Sequence, residues 1–531
     1  MTAINPESSP AAMAAEAELR RLAEAFHLPL LTVVADEMLD PELVARLPLD
    51  WARGHTALPV RYAEGLGVLL ADPLNLDVPK HLSLLFNCEL TPLLAPPAVI
   101  LAAIEKCYFQ RPGTPADFLA ELSPPTVAAA PRADDLLQTS AHAPVSQLVN
   151  LILLGAVKAG ASDVHLEPFE SRLRVRYRVD GLLYEQASPP KHLEAALVSR
   201  LKVMAHMDIS EKRLPQDGAA RVRVGERELD VRVSTIPAAE GERVVLRLLN
   251  RAETLRPMDG LGMPPELLKE FQVLLRETSG MLLVCGPTGS GKTTTLYAAL
   301  QQLDRAHTNI LTIEDPIEYQ LDEIGQMQVK PKIGLDFAEG LRHILRQDPD
   351  TIMVGEIRDA ATAEIAVRAS LTGHLVFSTL HTNDAAGAVL RMLDVGVEPY
   401  LLAAALRAAL AQRLARRLCP ACCRPAELTP ADLVWLEDAG IAPAGAPALQ
   451  GAGPGCPDCL EGYRGRVGLF ELLAMRPALA ALVRAGSCDA AELRAAAGSE
   501  GLRSLGQDGW GKACAGLTSM EELRRAIGRV G

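Results

Sequence analysis

Eight residues near the middle of the chain, Gly286-Pro287-Thr288-Gly289-Ser290-Gly291-Lys292-Thr293, carry the spacing G-x-x-x-x-G-K-[ST]. Glycines at those positions let backbone N–H groups turn toward one point, and a helix starting there adds its positive end. A polyphosphate fits such a cradle: the lysine ammonium reaches the outer phosphates and the threonine hydroxyl ligates Mg²⁺. The apolar run MLLVC precedes the loop, and TTTLYAAL, with Thr294 in it, continues as a helix. A chance match is expected in only about a few of every hundred chains this long. ATP and Mg²⁺ are therefore the expected cofactors.

Hydrolysis needs more than a cradle. In parallel sheets ligands sit at the carboxyl ends of the strands, so acids there are the candidates. NILTIEDPIEY places Glu314 and Asp315 at such an end, and DTIMVGEIRD places Glu356 there with Arg358 and Asp359 beyond. A carboxylate in that position holds Mg²⁺ through water or orients the attacking water. Strand-end acids are often only turn formers; two beside one phosphate loop carry more weight. GHLVFSTLHTNDA puts His374 at the entry of a further strand and His381 just past its end, where it is either a structural residue or a donor to a terminal phosphate.

Ten cysteines are unevenly spread, five of them between 419 and 459. Cys419-Pro-Ala-Cys422 and Cys456-Pro-Asp-Cys459 are two C-x₂-C knuckles, which together complete a closed tetrahedral Zn²⁺ site of structural type. The gap between them is longer than in common zinc ribbons, and Cys423 offers an alternative to Cys422. Cys285 reads as a small buried strand residue.

These residues need elements to hold them. The strands MLLVCG, NILTIED, TIMVGE and LVFSTL alternate with helical segments, the pattern of a mostly parallel sheet covered on both faces. This unit runs from 256 to 531, with a cysteine-bearing insertion at about 415–465 and a helical tail. Ahead of it, residues 143–255 combine the amphipathic helix VSQLVNLILLGAVKAGA with the alternating strands RLRVRYRVDG and ELDVRVST. Arg172, Arg174, Arg176 and Arg178 share one strand face, either a solvated surface or one that meets phosphate. Residues 1–112 mix short helical and strand patterns, and 113–142, rich in Pro, Ala and Ser, is a linker.

Lys and Arg number 53 against 66 Asp and Glu, a net charge of −13. That balance, with aromatics at 4%, disfavours a DNA translocase, and no nucleic acid is expected. The longest apolar run, YLLAAALRAAL (400–410), is interrupted by Arg407, and the N-terminus lacks a secretory pattern, so a cytoplasmic protein is expected.

GPTGSGKTTTLYAAL, TIEDPIEY, DPDTIMVGEIRD and GHLVFSTLHTNDA resemble the Walker A, Asp, Walker B and His boxes of the secretion ATPase superfamily, the motors of type II secretion and type IV pili. ASDVHLEPFE, RYRVDGLL, LKVMAHMDISEKRLPQDG and DVRVSTIPAAEGERVVLRLLN extend the resemblance, which covers about 145–531. It implies an α/β chain: a RecA-like ATPase domain preceded by a PAS-like α+β domain and a small N-terminal α/β domain. It implies that Glu356 is the Walker B acid, Glu314 the water-orienting base and His381 the His-box residue. Arg213 in EKRLPQDG and Arg227 in VGERELDV fall where the family supplies charge-stabilising arginines, within or between subunits. In QDGAARVRV the arginine that relatives carry after the glycine is either lost or replaced by Arg221. The four cysteines match a zinc element of the type II branch, which YRVDGLLYEQASPP, MDGLGM and GLRSLGQDGWGKACAGLTSMEELRR resemble most. Partners implied are the cytoplasmic domain of an inner-membrane assembly protein, reached through residues 1–112, an inner-membrane platform protein, and further copies in a hexamer. The runner-up is a pilus assembly motor. The Arg-Leu-Gly-type repeats that bind cyclic di-GMP in some such motors have no clean copy here, and that ligand is not expected.

Overall fold

The computed structural model describes residues 19–44, 47, 49–62, 65–75, 77–86, 88–109, 142–224, 227–250, 257–443, 448–486 and 489–528. Nearly all of the expected linker lies outside them. The N-terminal unit is a small sheet of β1 (Ala57–Tyr62), β2 (Gly65–Leu70) and β3 (Leu90–Leu94). β1 and β2 pair antiparallel; β2 and β3 pair parallel through the crossover helix Asp77–Phe86.

The middle unit is one antiparallel sheet. Its strands are β4 (Asp163–Pro168), β5 (Leu173–Val179), β6 (Leu182–Ala187), β7 (Gln216–Val224), β8 (Arg227–Ala238) and β9 (Gly241–Asn250), in the order β6-β5-β4-β9-β8-β7. Helices His142–Lys158 and Glu194–Met204 pack on one face, an α+β layering. Leu173, Val175, Tyr177 and Val179 alternate into that core, as LRVRYRV requires. The opposite face carries the arginines, which are partly solvated and paired with acids. Buried Glu167 accepts hydrogen bonds from Arg174, Arg176 and Arg243 at 3.1, 2.5 and 2.7 Å, and Asp163 accepts one from Arg247 at 3.0 Å. Burial alone would raise the Glu167 carboxyl; its arginines outweigh that and hold it below the usual range. This face is a lattice of ion pairs.

The third unit holds β10 (Gly280–Cys285), β11 (Ile310–Glu314), β12 (Gly325–Gln328), β13 (Thr351–Val354), β14 (Leu375–Leu380), β15 (Leu406–Leu418), the small pair β16 (Arg424–Ala426) and β17 (Leu449–Gly451), and β18 (Tyr463–Ala474). The main sheet runs β12-β11-β13-β14-β10-β15-β18, parallel except for β18. β10 is buried along its whole length. Met281, Leu283 and Cys285 enter one core while Leu282 and Val284 enter the other, so helices cover both faces. YLLAAALRAAL divides into helix Pro399–Ala405 and the start of β15. One sequence expectation needs correction. The tail is not wholly helical, because β18 closes the sheet edge. The cysteine element is thus suspended between two neighbouring strands.

Candidate active site and metal centre

β10 delivers the chain to Gly286 at the carboxyl edge of the sheet, between β14 and β15. Gly286 N–H donates to Leu380 O at 3.2 Å, tying the loop to the end of β14. Gly286 has φ 149°, and a Cβ there would strike the carbonyl of Gln412 and the hydroxyl of Ser290. Gly291 has φ 87° and starts helix Lys292–Gln302. Lys292 is buried, and its ammonium donates to Gly286 O and Pro287 O at 2.8 and 3.0 Å. Burial pushes that ammonium below its usual range. Ser290 Oγ is buried without a partner inside the loop, a donor of the kind a phosphate oxygen satisfies. Gln412, on the strand beside β10, accepts from Thr295 Oγ1 at 2.7 Å and braces the loop from the side. Nothing in the motif names Gln412; only the strand order brings it there.

β13 and β14 place the next group. Ile357 N–H donates to Thr379 O at 3.1 Å, and Thr379 Oγ1 to Gly355 O at 2.6 Å, locking the two strand ends together. Glu356 Oε1 lies 2.5 Å from Arg358 Nη2, and Glu356 Oε2 lies 3.3 Å from His381 Nε2. The carboxylate also acts on Lys292, raising its proton affinity. Glu356, His381 and the loop lysine therefore share one site.

Glu314 has a different setting. It is buried, and its carboxylate accepts from Tyr297, from Thr312 Oγ1 at 2.5 Å and from Gln326 Nε2 at 3.0 Å. Tyr297 stands on the helix that follows the phosphate loop. Glu314 thus links that helix to β11 and β12. To meet water it must exchange these partners.

Residues 138–525 match the family described as Type II/IV secretion system protein, and residues 26–114 match the MshEN domain. The chain is similar to the Type II secretion system protein E of Pseudomonas aeruginosa, 52% identical over 74% of this chain and 78% of that one. It is also similar to the Type IV pilus assembly ATPase PilB of Myxococcus xanthus, 44% identical over 94% and 89%. The ATPase DotB of Legionella pneumophila shares the fold, with a TM-score of 0.53, 21% identity and coverage of 71% and 94%. This chain belongs to the type II/IV secretion ATPase family. It is a P-loop ATPase.

In this secretion ATPase Arg213 pairs within its own loop. Arg213 is exposed and forks onto Glu211, with Nη2–Oε2 2.8 Å and Nε–Oε1 3.1 Å, holding that carboxyl at about 2. Arg227 opens β8, and its side chain lies outside the described residues. Arg221 pairs with Asp230 at 3.2 Å. The arginine of the middle unit that does reach the ATPase unit is Arg232. It donates to Ile317 O at 2.7 Å, just beyond Glu314, and lies 3.4 Å from Glu318. The strand pattern hid it, since its partner is remote in sequence.

Cys419, Cys422, Cys456 and Cys459 converge, with sulfurs 3.7 Å (419–456), 3.6 Å (422–459) and 3.5 Å (456–459) apart. Four sulfurs about 2.3 Å from one tetrahedral ion stand about 3.8 Å from each other, so the set fits zinc. Cys423 turns away toward Pro420 O. Among the described residues no helix is long and apolar enough to cross a membrane.

Proposed function

We propose that this ATPase seats Mg²⁺–ATP on Gly286, Pro287, Thr288, Gly289, Ser290, Gly291, Lys292, Thr293 and Thr294, and that hydrolysis drives pseudopilus assembly and protein export by a type II secretion system. The observation that carries the reading is the meeting of Glu356, His381 and Lys292 at the carboxyl ends of adjacent strands. Mg²⁺ would neutralise charge building on the outer phosphates. Thr293 and Glu356 would hold it, the latter directly or through water. His381 would donate to the terminal phosphate. Glu314 orients water once released from Tyr297. Arg213 and Arg227 would complete the site of a neighbouring subunit in a hexamer, stabilising transition-state charge. The four cysteines hold Zn²⁺ as a structural ion.

The N-terminal unit would dock on the cytoplasmic domain of an inner-membrane assembly protein, and the ring would work against a platform protein, which keeps the chain at the inner face of that membrane. The pilus assembly reading has one observation in its favour: similarity to the Myxococcus protein runs through 94% of this chain, N-terminal unit included. A chromosomal Glu356→Gln substitution separates the two. Turnover of the purified chain should fall at least about 100-fold with ATP binding retained. Loss of exported enzymes from the medium with surface pili intact supports secretion, and the reverse supports the pilus. Unchanged turnover removes Glu356 from its role.

A further inference from the structure

Arg413 belongs to none of the four boxes. β15 pairs with β10 in parallel, and Ala411 lies opposite Cys285, the last residue before the phosphate loop. Two residues on, Arg413 follows the strand past that point and arrives beside the loop. Its surroundings are unusual for an arginine. It is half-buried, and Nη2 donates to Asn383 Oδ1 at 2.8 Å. Nε is buried with no partner. Among the described residues no carboxylate lies within ion-pairing distance of it. The acid that acts on it, Asp384, is occupied with the Gly387 N–H at 2.6 Å and with Arg494 at 3.5 Å.

The Arg413 guanidinium is close enough to Lys292 to disfavour the charge on that ammonium. Among the described residues the Lys292 ammonium has only carbonyl oxygens as hydrogen-bond partners. Two desolvated like charges without a bound acid are costly, and such an arrangement persists where an anion compensates it. An arginine fork matches phosphate oxygens in a way that a single ammonium does not.

We propose that Arg413 is a phosphate ligand of the nucleotide site, a second cation supplied by β15 beside Lys292. The assignment rests on the reading of Gly286–Thr294 as the nucleotide seat. The same side chain holds Asn383, two residues after His381, so a phosphate that draws on the guanidinium also tugs the loop that carries His381. Arg413 thereby reports occupancy of the outer phosphates to the His381 side of the site.

The test uses the full chain with Mg²⁺ and AMP-PNP or ADP as probes, titrated calorimetrically, and thermal melts with and without each. Arg413→Ala should weaken AMP-PNP binding by about 10- to 100-fold, the worth of one or two charged hydrogen bonds. Arg413→Lys should recover part of the loss. The nucleotide-free melting temperature of Arg413→Ala should not fall, because the change removes an uncompensated cation; the nucleotide-induced rise should shrink. AMP-PNP affinity within about twofold of wild type in Arg413→Ala, while Lys292→Ala abolishes binding, overturns the assignment and leaves the loop reading standing. A fall in the nucleotide-free melting temperature with unchanged affinity in both Arg413 variants also overturns it, making Arg413 a structural residue. Wild-type affinity in Lys292→Ala overturns the loop reading itself.

Discussion

Glu314 and Glu356 are chemically alike, and their neighbours assign them different work. Glu356 is bounded by two cationic side chains, Arg358 and His381 when protonated, and keeps an exposed edge. Glu314 is enclosed by three neutral donors and has no edge free. A carboxylate held in that way is stable but not free to turn. The Tyr297 hydroxyl is the donor that ties it to the phosphate-loop helix, and burial with the adjacent carboxylate raises the pKa of that hydroxyl. Tyr297→Phe should cost about 1–3 kcal/mol in chemical denaturation, because one carboxylate oxygen is left short of a donor in a buried place. The same variant should keep turnover within about tenfold of wild type, since Glu314 itself remains to meet water. A loss of turnover as deep as that of Glu314→Gln would show that the hydroxyl, not the carboxylate, is what the reaction needs.

The elements differ in how plainly they can be read. β10, β11, β13 and β14 are short apolar runs ending in a chemical motif, and each is a strand. β15 is LRAALAQRLARRL, composed of strong helix formers, and becomes a strand because β10 on one side and β18 on the other offer paired edges. β12 is GQMQ, too short and polar to signal anything. Gln412 and Arg413 are not legible in the sequence as residues near the phosphate loop for the same reason that β15 is not legible as a strand. The cysteine element was legible because its chemistry is local to two knuckles. Its test is direct: by elemental analysis Cys422→Ala should lose the metal and Cys423→Ala should keep it. β15 is also pinned from outside. Arg416 donates to Glu522 at 3.0 Å, Glu522 accepts from Arg525 at 2.8 Å, and the Arg416 guanidinium lies 3.9 Å from the centre of the Tyr463 ring. Glu522→Ala should cost about 3–5 kcal/mol, since it leaves Arg416 buried and unpaired. Burial would raise the Glu522 carboxyl, but Arg525 and Arg416 outweigh it and depress it. A depressed carboxylate stabilises the fold above its unfolded pKa, about 4.3, and that contribution is lost as pH falls through the folded value. Acid melts of wild type should therefore lose stability more steeply below about pH 5 than those of Glu522→Gln.

At the scale of the molecule, polar contacts among the described residues join the middle unit to its own ATPase unit at three places: Arg232 on Ile317 and Glu318, Asp180 on Gly465 N–H at 2.8 Å and Arg466 at 3.3 Å, and Tyr184 on Arg416 at 3.3 Å. Arg232 is thus spent within the chain, beside the segment that follows Glu314. Arg213 is not: it projects from an exposed loop, and among the described residues its side chain is held only by a carboxylate two residues away. Although Arg213 draws the Glu211 carboxyl well down, both groups face solvent, which screens the pair, so Arg213 would exchange Glu211 for a phosphate at little cost. In the proposed ring a head-to-tail interface would bring unlike surfaces together, and Arg213 is the arginine that one subunit would lend to its neighbour. Lys292→Ala subunits lack a working phosphate loop but keep the arginine, and Arg213→Ala subunits have the reverse defect. Each alone should be inactive. Mixed in equal amounts and reassembled, they should regain about a quarter of wild-type turnover, since a complete site needs one parent of each kind in the right order. Activity that stays at the level of the separate variants would place Arg213 with the nucleotide of its own chain.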